Sequence, residues 1–284
     1  MGAINGSTQI VGLIGWPVSH SFSPLLQNTA FEACEINFAY IPLPVAPGCL
    51  AQAVEGLKGL QFAGANVTIP HKVDIISLLD EIDPAAKKIG AVNTIVVRDG
   101  QLYGYNTDAP GFMSSLAQNQ VAIEGKKAML LGAGGAARAV ICGLLDGQAE
   151  EIFLAARNME QAKALAVRYA GEGKLTPIEL GSEEFERKSA ECALIVNCTP
   201  LGMQPWLEQM PPLDFAVLAR DTVIYDLIYN PTHTMLLIKA AECGFKTIGG
   251  MEMLIEQGAL AFEKWTSVTA PRDVMYKTMS KICC

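Results

Sequence analysis

The first hundred residues alternate short apolar runs with stretches in which apolar side chains recur at helical spacing. The runs predict strands and the periodic stretches predict helices, and this order favours a mainly parallel sheet covered by helices. The predicted strands are residues 10–14, 38–43 and 65–69, and the predicted helices are residues 24–34, 47–60 and 71–79. A hairpin then interrupts the alternation, with strands at 95–98 and 101–105 around a tight Asp99-Gly100 turn.

The second half of the chain restarts the alternation after a polar break at residues 118–127. Just before it, Asn106, Thr107 and Asp108 offer capping side chains to a helix that has Pro110 in its first turn. The later predicted strands are residues 128–131, 151–155, 194–197 and 223–227, and the later helices are 134–145, 160–169 and 251–264. The restart predicts two α/β domains, 1–109 and 110–244, and by its pattern the last helix could pack on either of them.

Composition narrows the class of protein. The 284 residues are 50% hydrophobic and 18% charged, which supports a sizeable core and excludes a disordered or coiled-coil chain. A net charge of −8 without a basic block disfavours nucleic-acid binding. No run of 18 apolar residues occurs, so we expect no membrane helix. No basic residue precedes Lys58, so we expect no signal peptide.

The eight cysteines show neither a CxxC pair nor a zinc-ligand spacing. In a chain of this length they predict reduced thiols, a cytoplasmic location and no metal site. Cys283 and Cys284 are adjacent but have no ligand partners nearby in the sequence.

A glycine-rich segment, MLLGAGGAAR at residues 129–138, joins a predicted strand to a predicted helix. Gly132, Gly134 and Ala137 fit the pattern G-x-G-x-x-G/A, which allows a tight turn, a close approach of backbone N–H groups to a pyrophosphate, and close packing of helix on strand. This context predicts a Rossmann-like dinucleotide-binding domain, the alternative being a glycine-rich packing turn.

The next predicted strand ends at Arg157, where an NAD site would usually place Asp or Glu. A guanidinium suits the 2′-phosphate of NADP. The alternatives are a solvated surface arginine, or NAD binding supported by the nearby Glu160.

Polar clusters follow the predicted strands of the first domain, at residues 19–24, 66–72, 90–94 and 106–108. Ligands of open α/β sheets lie beyond the carboxyl ends of the strands, so these clusters predict a small polar pocket. The motifs HSFSP, NVTIPHK, GAVNT, YNTD, GAGGAAR, NCTPLGM, YDLIYNP and GMEMLIEQGA occur in this order between Ile10 and Lys264. In these motifs and their order the chain resembles the shikimate dehydrogenase family.

The resemblance implies an N-terminal α/β substrate-binding domain with a mainly parallel sheet, a Rossmann-like NADP-binding domain, and a cleft between them. It implies reversible NADPH-dependent reduction of 3-dehydroshikimate to shikimate, on the route to chorismate and the aromatic amino acids. Lys72 and Asp108 match the catalytic pair. The implied substrate contacts are Ser21, Ser23, Asn66, Thr68, Asn93, Asp108, Tyr229 and Gln257. Because Gln257 must reach the substrate pocket, residues 245–284 are expected to return to the first domain. The implied cofactor contacts are Gly132, Ala133, Gly134, Gly135, Ala136, Arg157, Leu227 and Gly250.

One departure from the family's cofactor motif matters for the choice of cofactor. NADP-specific members of the family carry a motif similar to Asn-Arg-Thr-x-x-Arg after the second strand of the cofactor domain. This chain has Gln161 in place of the second arginine of that motif. That difference leaves NAD open as a cofactor.

Carbonyl reduction needs a proton on oxygen, and Lys72 can donate or accept that proton with Asp108 holding its ammonium. The predicted place of Lys72 in the first turn of a helix disfavours its positive charge, while Asp108 favours it. Ser21 and Ser23, two apart on an extended segment, would present both hydroxyls to one carboxylate. The alternatives are an exposed helix-start lysine, a plain N-cap at Asp108 and turn-forming serines.

Residues outside these motifs have simpler interpretations. His20, His71 and His233 are expected to be structural or exposed, and Cys198 is expected to be a packing residue.

Three further functions remain open. They are an NAD-dependent quinate/shikimate dehydrogenase, a non-catalytic NADP-binding regulator, and another enzyme of this fold that acts on a folate or a tRNA-linked substrate. We expect a small-molecule substrate and a monomer or homodimer.

Overall fold

The computed structural model describes residues 4–282, and its contacts divide the chain into two units. The first unit combines the residues up to Gly111 with those from Leu254 onward, and the second is Phe112–Met253. The sequence predicted divisions at 109/110 and 244/245. In the described part of the chain, each unit contains one six-stranded sheet.

Strands and helices alternate along most of the chain. The strands are β1 Gln9–Gly15, β2 Phe38–Pro44, β3 Gly64–Val67, β4 Glu81–Ile82, β5 Thr94–Arg98, β6 Gln101–Tyr105, β7 Lys127–Leu131, β8 Glu151–Ala156, β9 Leu175–Glu179, β10 Leu194–Asn197, β11 Val223–Asp226 and β12 Lys246–Ile248. The α-helices are α1 Ser23–Ala33, α2 Leu50–Gly59, α3 Pro84–Ile89, α4 Asp108–Gln118, α5 Gly135–Asp146, α6 Met159–Arg168, α7 Glu183–Ser189, α8 Met235–Glu242, α9 Met251–Thr266 and α10 Arg272–Ser280.

The sheet of the first unit has the order β2-β1-β3-β5-β6-β4. β1 pairs in parallel with β2 and β3, and β4 pairs in parallel with β6, whereas β5 runs antiparallel to β3 and β6. The predicted mainly parallel sheet with an inserted hairpin is therefore confirmed. Because of these directions, the carboxyl ends of β1, β3 and β6 and the amino end of β5 share one edge of the sheet.

The predicted helix at residues 71–79 is wrong. Residues 69–73 form turns, and only a short 3-10 helix, Asp74–Leu78, follows them. Pairing with β6 already begins at Asp80, whose N–H donates to the Leu102 carbonyl and whose carboxylate accepts from the Leu102 N–H. The Lys72 carbonyl accepts from the Val92 N–H at 2.8 Å, so it is engaged by another segment rather than by a helical hydrogen bond.

The C-terminal helix α9 packs on the first sheet from Leu254 onward. Trp265 Nε1 donates to the Ile95 carbonyl at 2.9 Å, and Phe262 stacks on Phe31 with ring centroids 5.2 Å apart. One buried apolar cluster of the same unit includes Val54, Leu57, Ile75, Ile95 and Leu102.

The sheet of the second unit is parallel throughout, with the order β12-β11-β10-β7-β8-β9. If β7 to β12 are numbered 1 to 6 along the chain, their order in the sheet, starting from β9, is 3-2-1-4-5-6. This is the doubly wound arrangement of dinucleotide-binding domains. Its core includes Met129, Phe153, Ile195 and Ile224. The predicted Rossmann-like fold is confirmed, and its switch point lies between β7 and β10.

Within residues 4–282 we find no helix that combines the length and the apolar character needed to cross a membrane.

Candidate active site

Lys72 and Asp108 form an ion pair in the first unit, with 2.6 Å between Lys72 Nζ and Asp108 Oδ2. Lys72 lies in the turn after β3, and Asp108 is the first residue of α4. The side chains are 15% and 6% exposed, so water screens the pair only weakly. Since Lys72 begins no α-helix, the expectation that a helix start disfavours its charge is wrong, and the contact with Asp108 is the interaction that acts on it.

Asn106, and not Asp108, caps α4. Its Oδ1 accepts from the N–H of Asp108 at 3.0 Å and from the N–H of Ala109 at 3.4 Å, while its Nδ2 donates to the Ala91 carbonyl at 2.9 Å. The interpretation of Asp108 as a plain N-cap is therefore wrong. Its carboxylate is available to Lys72, at a helix start that favours negative charge.

Asn93 links Asp108 to its surroundings. Its Nδ2 lies 2.8 Å from Asp108 Oδ1, 2.9 Å from Thr107 Oγ1 and 3.4 Å from Gln257 Oε1. Its Oδ1 accepts from the Thr107 N–H at 2.8 Å. Each oxygen of Asp108 thus has its own donor, Lys72 on one and Asn93 on the other, which fixes the carboxylate plane. Gln257 reaches this cluster from α9.

Asn66, at the end of β3, is buried and fully engaged by the protein. Tyr40 OH donates to its Oδ1 at 2.8 Å, and its Nδ2 lies 3.1 Å from both the Asn93 carbonyl and Thr94 Oγ1. Thr68 follows directly after the strand, half-buried, with its N–H donating to the Ile14 carbonyl at 2.8 Å. Asn66 therefore positions neighbours, and its predicted contact with substrate stays a prediction.

Ser21 and Ser23 lie in the segment that leaves the same sheet edge after β1. Ser23 is the first residue of α1, and its N–H donates to Ser21 Oγ at 3.2 Å. Phe22 between them has helical dihedral angles, so the argument from an extended segment is wrong. The two hydroxyls instead accompany a helix N-terminus, which also favours a carboxylate.

The glycine-rich turn of the second unit has room for a phosphate. Gly132 has φ of +105°, and a Cβ there would lie 3.0 Å from Thr199 Cγ2. A Cβ at Gly134, the N-cap of α5, would meet nothing within 4 Å. Gly134 has no side chain with which to cap the first N–H groups of α5, as a site for a bound anion requires. Gly132, Ala133, Gly134, Gly135 and Ala136 therefore fit the pyrophosphate of a dinucleotide.

Arg157 is exposed directly after β8, beside that turn. The Gly132 N–H donates to the Ala155 carbonyl at 2.8 Å, which holds the turn against the end of β8. Asn158 caps α6 by accepting from the Gln161 N–H at 3.1 Å, and Glu160 is exposed in the first turn. A guanidinium in this position fits a 2′-phosphate.

A buried polar network that the sequence analysis missed lies where β10 and β11 end. Asn197 Nδ2 donates to Asp226 Oδ1 at 3.0 Å, and Thr234 Oγ1 donates to Asp226 Oδ2 at 2.7 Å. Burial raises the pKa of Asp226 to about 6, although these hydrogen bonds lower it. The sequence signal was the acid that closes the apolar strand VIYD, since an acid so placed needs a partner inside the fold.

The predicted cofactor contacts Leu227 and Gly250 lie together beside this network. The Leu227 N–H donates to the Asn197 carbonyl at 3.2 Å, and the Gly250 N–H donates to the Ile228 carbonyl at 3.1 Å. A Cβ at Gly250 would collide with the Leu227 carbonyl, so only glycine fits there. Tyr229 lies in the second unit, and its predicted contact with substrate stays a prediction.

The remaining candidate residues, His71 and Cys198, are in contact with the protein's own groups. His71 is buried, with Nε2 2.7 Å from the Val45 carbonyl. Burial and the nearby Asp226 raise the pKa of the Cys198 thiol, which keeps it protonated. Within the part of the chain that the structure describes, no three His, Cys, Asp or Glu residues converge as metal ligands. Cys283 and Cys284 lie outside the described residues.

A Lys–Asp pair in one α/β unit and a nucleotide-binding turn in a doubly wound unit are features of a dinucleotide-dependent dehydrogenase. Three family models match the chain. They are the shikimate dehydrogenase substrate binding domain over residues 13–95, shikimate/quinate 5-dehydrogenase over 115–199, and the shikimate 5′-dehydrogenase C-terminal domain over 250–279.

Full-length relatives agree with these matches. The shikimate dehydrogenase (NADP⁺) of Carboxydothermus hydrogenoformans is 50% identical, covering 99% of each chain. A crystal structure of a shikimate dehydrogenase in complex with NADP⁺ has a TM-score of 0.90 at 40% identity, covering 99% of this chain and 98% of that one. The shikimate 5-dehydrogenase of Listeria monocytogenes, solved with shikimate and NAD, has a TM-score of 0.89 at 34% identity, covering 98% of each chain. The chain belongs to the shikimate dehydrogenase family.

Proposed function

We propose that this chain catalyses the reversible NADPH-dependent reduction of 3-dehydroshikimate to shikimate. The observation that carries the proposal is the Lys72–Asp108 pair at 2.6 Å, with the second Asp108 oxygen hydrogen-bonded to Asn93. A regulator without catalysis would need neither the proton donor nor its positioning carboxylate. The names of the family relatives support the same activity.

Lys72 handles the proton. In reduction its ammonium gives a proton to the substrate carbonyl oxygen, and in oxidation the neutral amine takes the hydroxyl proton back. Asp108 keeps Nζ in place through the short contact to Oδ2 and can also accept a hydrogen bond from a substrate hydroxyl. When bound, NADPH would supply the hydride to the carbon atom of that substrate carbonyl.

The substrate carboxylate fits the hydroxyls of Ser21 and Ser23 at the start of α1. Thr68, Asn93 and Gln257 supply the polar groups for the substrate hydroxyls, and Asn66 and Tyr229 are further predicted contacts.

The cofactor would be held by the glycine-rich turn through its backbone N–H groups and by Arg157 through the 2′-phosphate. Leu227 and Gly250 are the predicted neighbours of the nicotinamide ring. NADP is the better-supported cofactor because no acid stands at the end of β8 and Arg157 does. NAD is the second candidate, because Gln161 replaces the family's second arginine and a relative was solved with NAD.

We infer a cytoplasmic protein, because the six cysteines within residues 4–282 are free thiols. Whether it is a monomer or a homodimer stays a prediction.

A steady-state panel tests the proposal, with shikimate and quinate each assayed against NADP⁺ and NAD⁺ at one pH. We expect the highest kcat/KM for shikimate with NADP⁺. A higher value for NAD⁺ or for quinate would favour the quinate/shikimate alternative. Tight NADPH binding without turnover of either acid would favour the regulator.

A further inference from the structure

Asp226 is fully buried at the end of β11 and is held by hydrogen-bond donors from three segments. Asn197 Nδ2 from β10 donates to Oδ1 at 3.0 Å, and the Ile228 N–H donates to the same oxygen at 3.1 Å. Thr234 Oγ1, at the start of α8, donates to Oδ2 at 2.7 Å. One carboxylate therefore ties together the ends of two adjacent strands and the start of the next helix.

The partners of Asp226 fix the chain that follows each strand. Asn197 Oδ1 accepts from the Thr199 N–H at 2.9 Å and from Thr199 Oγ1 at 2.7 Å, and its Nδ2 also lies 3.2 Å from the Leu201 carbonyl. On the β11 side, the hydrogen bond from the Ile228 N–H to Asp226 Oδ1 fixes the backbone between Leu227 and Tyr229. The residues just after β10, as far as Leu201, and those just after β11, as far as Ile228, are thus held by the same buried group.

We propose that Asp226 is a positioning residue for the reaction, whose ionised carboxylate holds the segments after β10 and β11 in the arrangement that cofactor binding requires. The inference rests on the proposed function, because Leu227 is there a predicted neighbour of the nicotinamide. Asp226 itself has no exposed surface with which to touch a ligand.

The three hydrogen bonds favour the ionised form, although burial opposes it. All three groups are donors, so a proton on Oδ2 would face the Thr234 hydroxyl and force it to turn. Among the described residues, the titratable group facing Asp226 is the Cys198 thiol after β10, which stays neutral. The Thr234 hydroxyl faces Asp226 from the start of α8, and the Ile228 N–H faces it from the segment that contains Asp226 itself. Neither group carries a charge.

No cation offsets the buried charge in this set of contacts. Burial accordingly places the pKa of Asp226 at about 6, within the range in which the enzyme can be assayed. Protonation below that pH should loosen both segments and weaken cofactor binding.

Asp226→Asn mimics the protonated acid at constant size, and its effect is measured as the dissociation constant of NADPH by fluorescence titration. The 2′-phosphate of NADPH also titrates near pH 6, so the useful quantity is the ratio of variant to wild-type Kd at each pH. Ligand titration is common to both proteins and cancels in this ratio. We expect a ratio of about 10 at pH 8 that falls below about 2 at pH 5, where the wild type is itself mostly protonated. A ratio independent of pH would overturn the proposal.

A second variant decides the matter if Asp226→Asn does not fold. Thr234→Val removes one donor to the carboxylate, so the loss of binding on acidification should begin at a higher pH than in the wild type. The matched control is Thr222→Val, because Thr222 is equally buried, lies before β11, and donates to the Cys192 carbonyl at 2.8 Å. Thr222→Val should keep the wild-type inflection. Identical profiles for the two threonine variants would overturn the proposal.

The same titration separates this inference from the proposed function. Wild-type protein that fails to bind NADPH at any pH would remove both. Wild-type protein that binds NADPH, together with a flat Asp226→Asn ratio, would remove only the positioning role.

Discussion

Gly134→Ala should separate cofactor binding from folding. Gly134 has φ of −79°, which alanine adopts without strain, and a Cβ there would meet no atom within 4 Å. Alanine is a poorer N-cap than glycine, but it also lowers the entropy of the unfolded chain, and each effect is about 0.5–1 kcal/mol. Because the two oppose each other, the free energy of unfolding should change by less than about 1 kcal/mol.

The same methyl group would occupy the space in which phosphate oxygens approach the N-terminus of α5. Loss of one hydrogen bond to a charged group costs about 1.5–3 kcal/mol, so NADPH affinity should fall roughly 10–150-fold. Fluorescence titration measures the affinity, and urea unfolding measures the stability.

Gly132→Ala is the matched comparison for stability, because it should lower the free energy of unfolding, unlike Gly134→Ala. Its φ of +105° and its 3.0 Å approach to Thr199 would strain the folded state by about 1–3 kcal/mol. Unchanged NADPH affinity in Gly134→Ala would refute the assignment of this turn to the cofactor phosphates.

Three further predictions concern single charges. Arg157→Ala should weaken NADPH binding by about 1.5–3 kcal/mol and leave NADH binding nearly unchanged, whereas Arg220→Ala, at an exposed arginine before β11, should alter neither in the same titrations. Asp108→Asn should lower kcat about 10–150-fold and also weaken shikimate binding, and its steady-state kcat loss should not add to that of Lys72→Ala if the two residues act as one unit. Asp226 has its folded-state pKa raised from 3.8 to about 6, so the folded state keeps a proton that the unfolded chain has lost. Urea unfolding should therefore show wild-type stability falling relative to Asp226→Asn, by about 2 kcal/mol from pH 4 to pH 6.5, and equal pH slopes would contradict this.

Both units were predictable wherever strand and helix periods are long and regular. The run from β7 to α6 has a buried strand, a glycine turn and an amphipathic helix, each decided by local sequence. β9 and β12 were missed because their signals are weak. β9 contains Pro177, which only an edge strand tolerates, and β12 has three residues.

The chemistry of the first unit followed from motifs, but its geometry did not. Any of Asn106, Thr107 and Asp108 could cap a helix by its side chain. Asn106 takes that role because its amide is anchored on the Ala91 carbonyl, a contact between segments that local sequence does not reveal. The helical period of residues 71–79 predicts a helix at Lys72, but the Lys72 carbonyl accepts from the Val92 N–H, again a contact between segments that local sequence does not reveal.

The Asp226 network was missed for a related reason. Its partners Asn197 and Thr234 lie 29 and 8 residues away in the sequence, and neither has a motif that identifies it as a partner of a carboxylate. Pairing of β10 with β11 brings Asn197 beside Asp226 in register. Sheet topology is thus needed before the buried acid can be interpreted.

Shikimate-dependent formation of NADPH by the wild type and by Lys72→Ala, followed by absorbance at saturating NADP⁺, tests the central claim most directly. We expect the wild type to turn over and the variant to lose about 10²–10⁴-fold in kcat, because the proton acceptor is gone. Its KM for shikimate should change much less, since the predicted substrate contacts of Ser21, Ser23, Thr68 and Gln257 are unaltered. Near wild-type turnover by Lys72→Ala would contradict the assignment of proton transfer to Lys72.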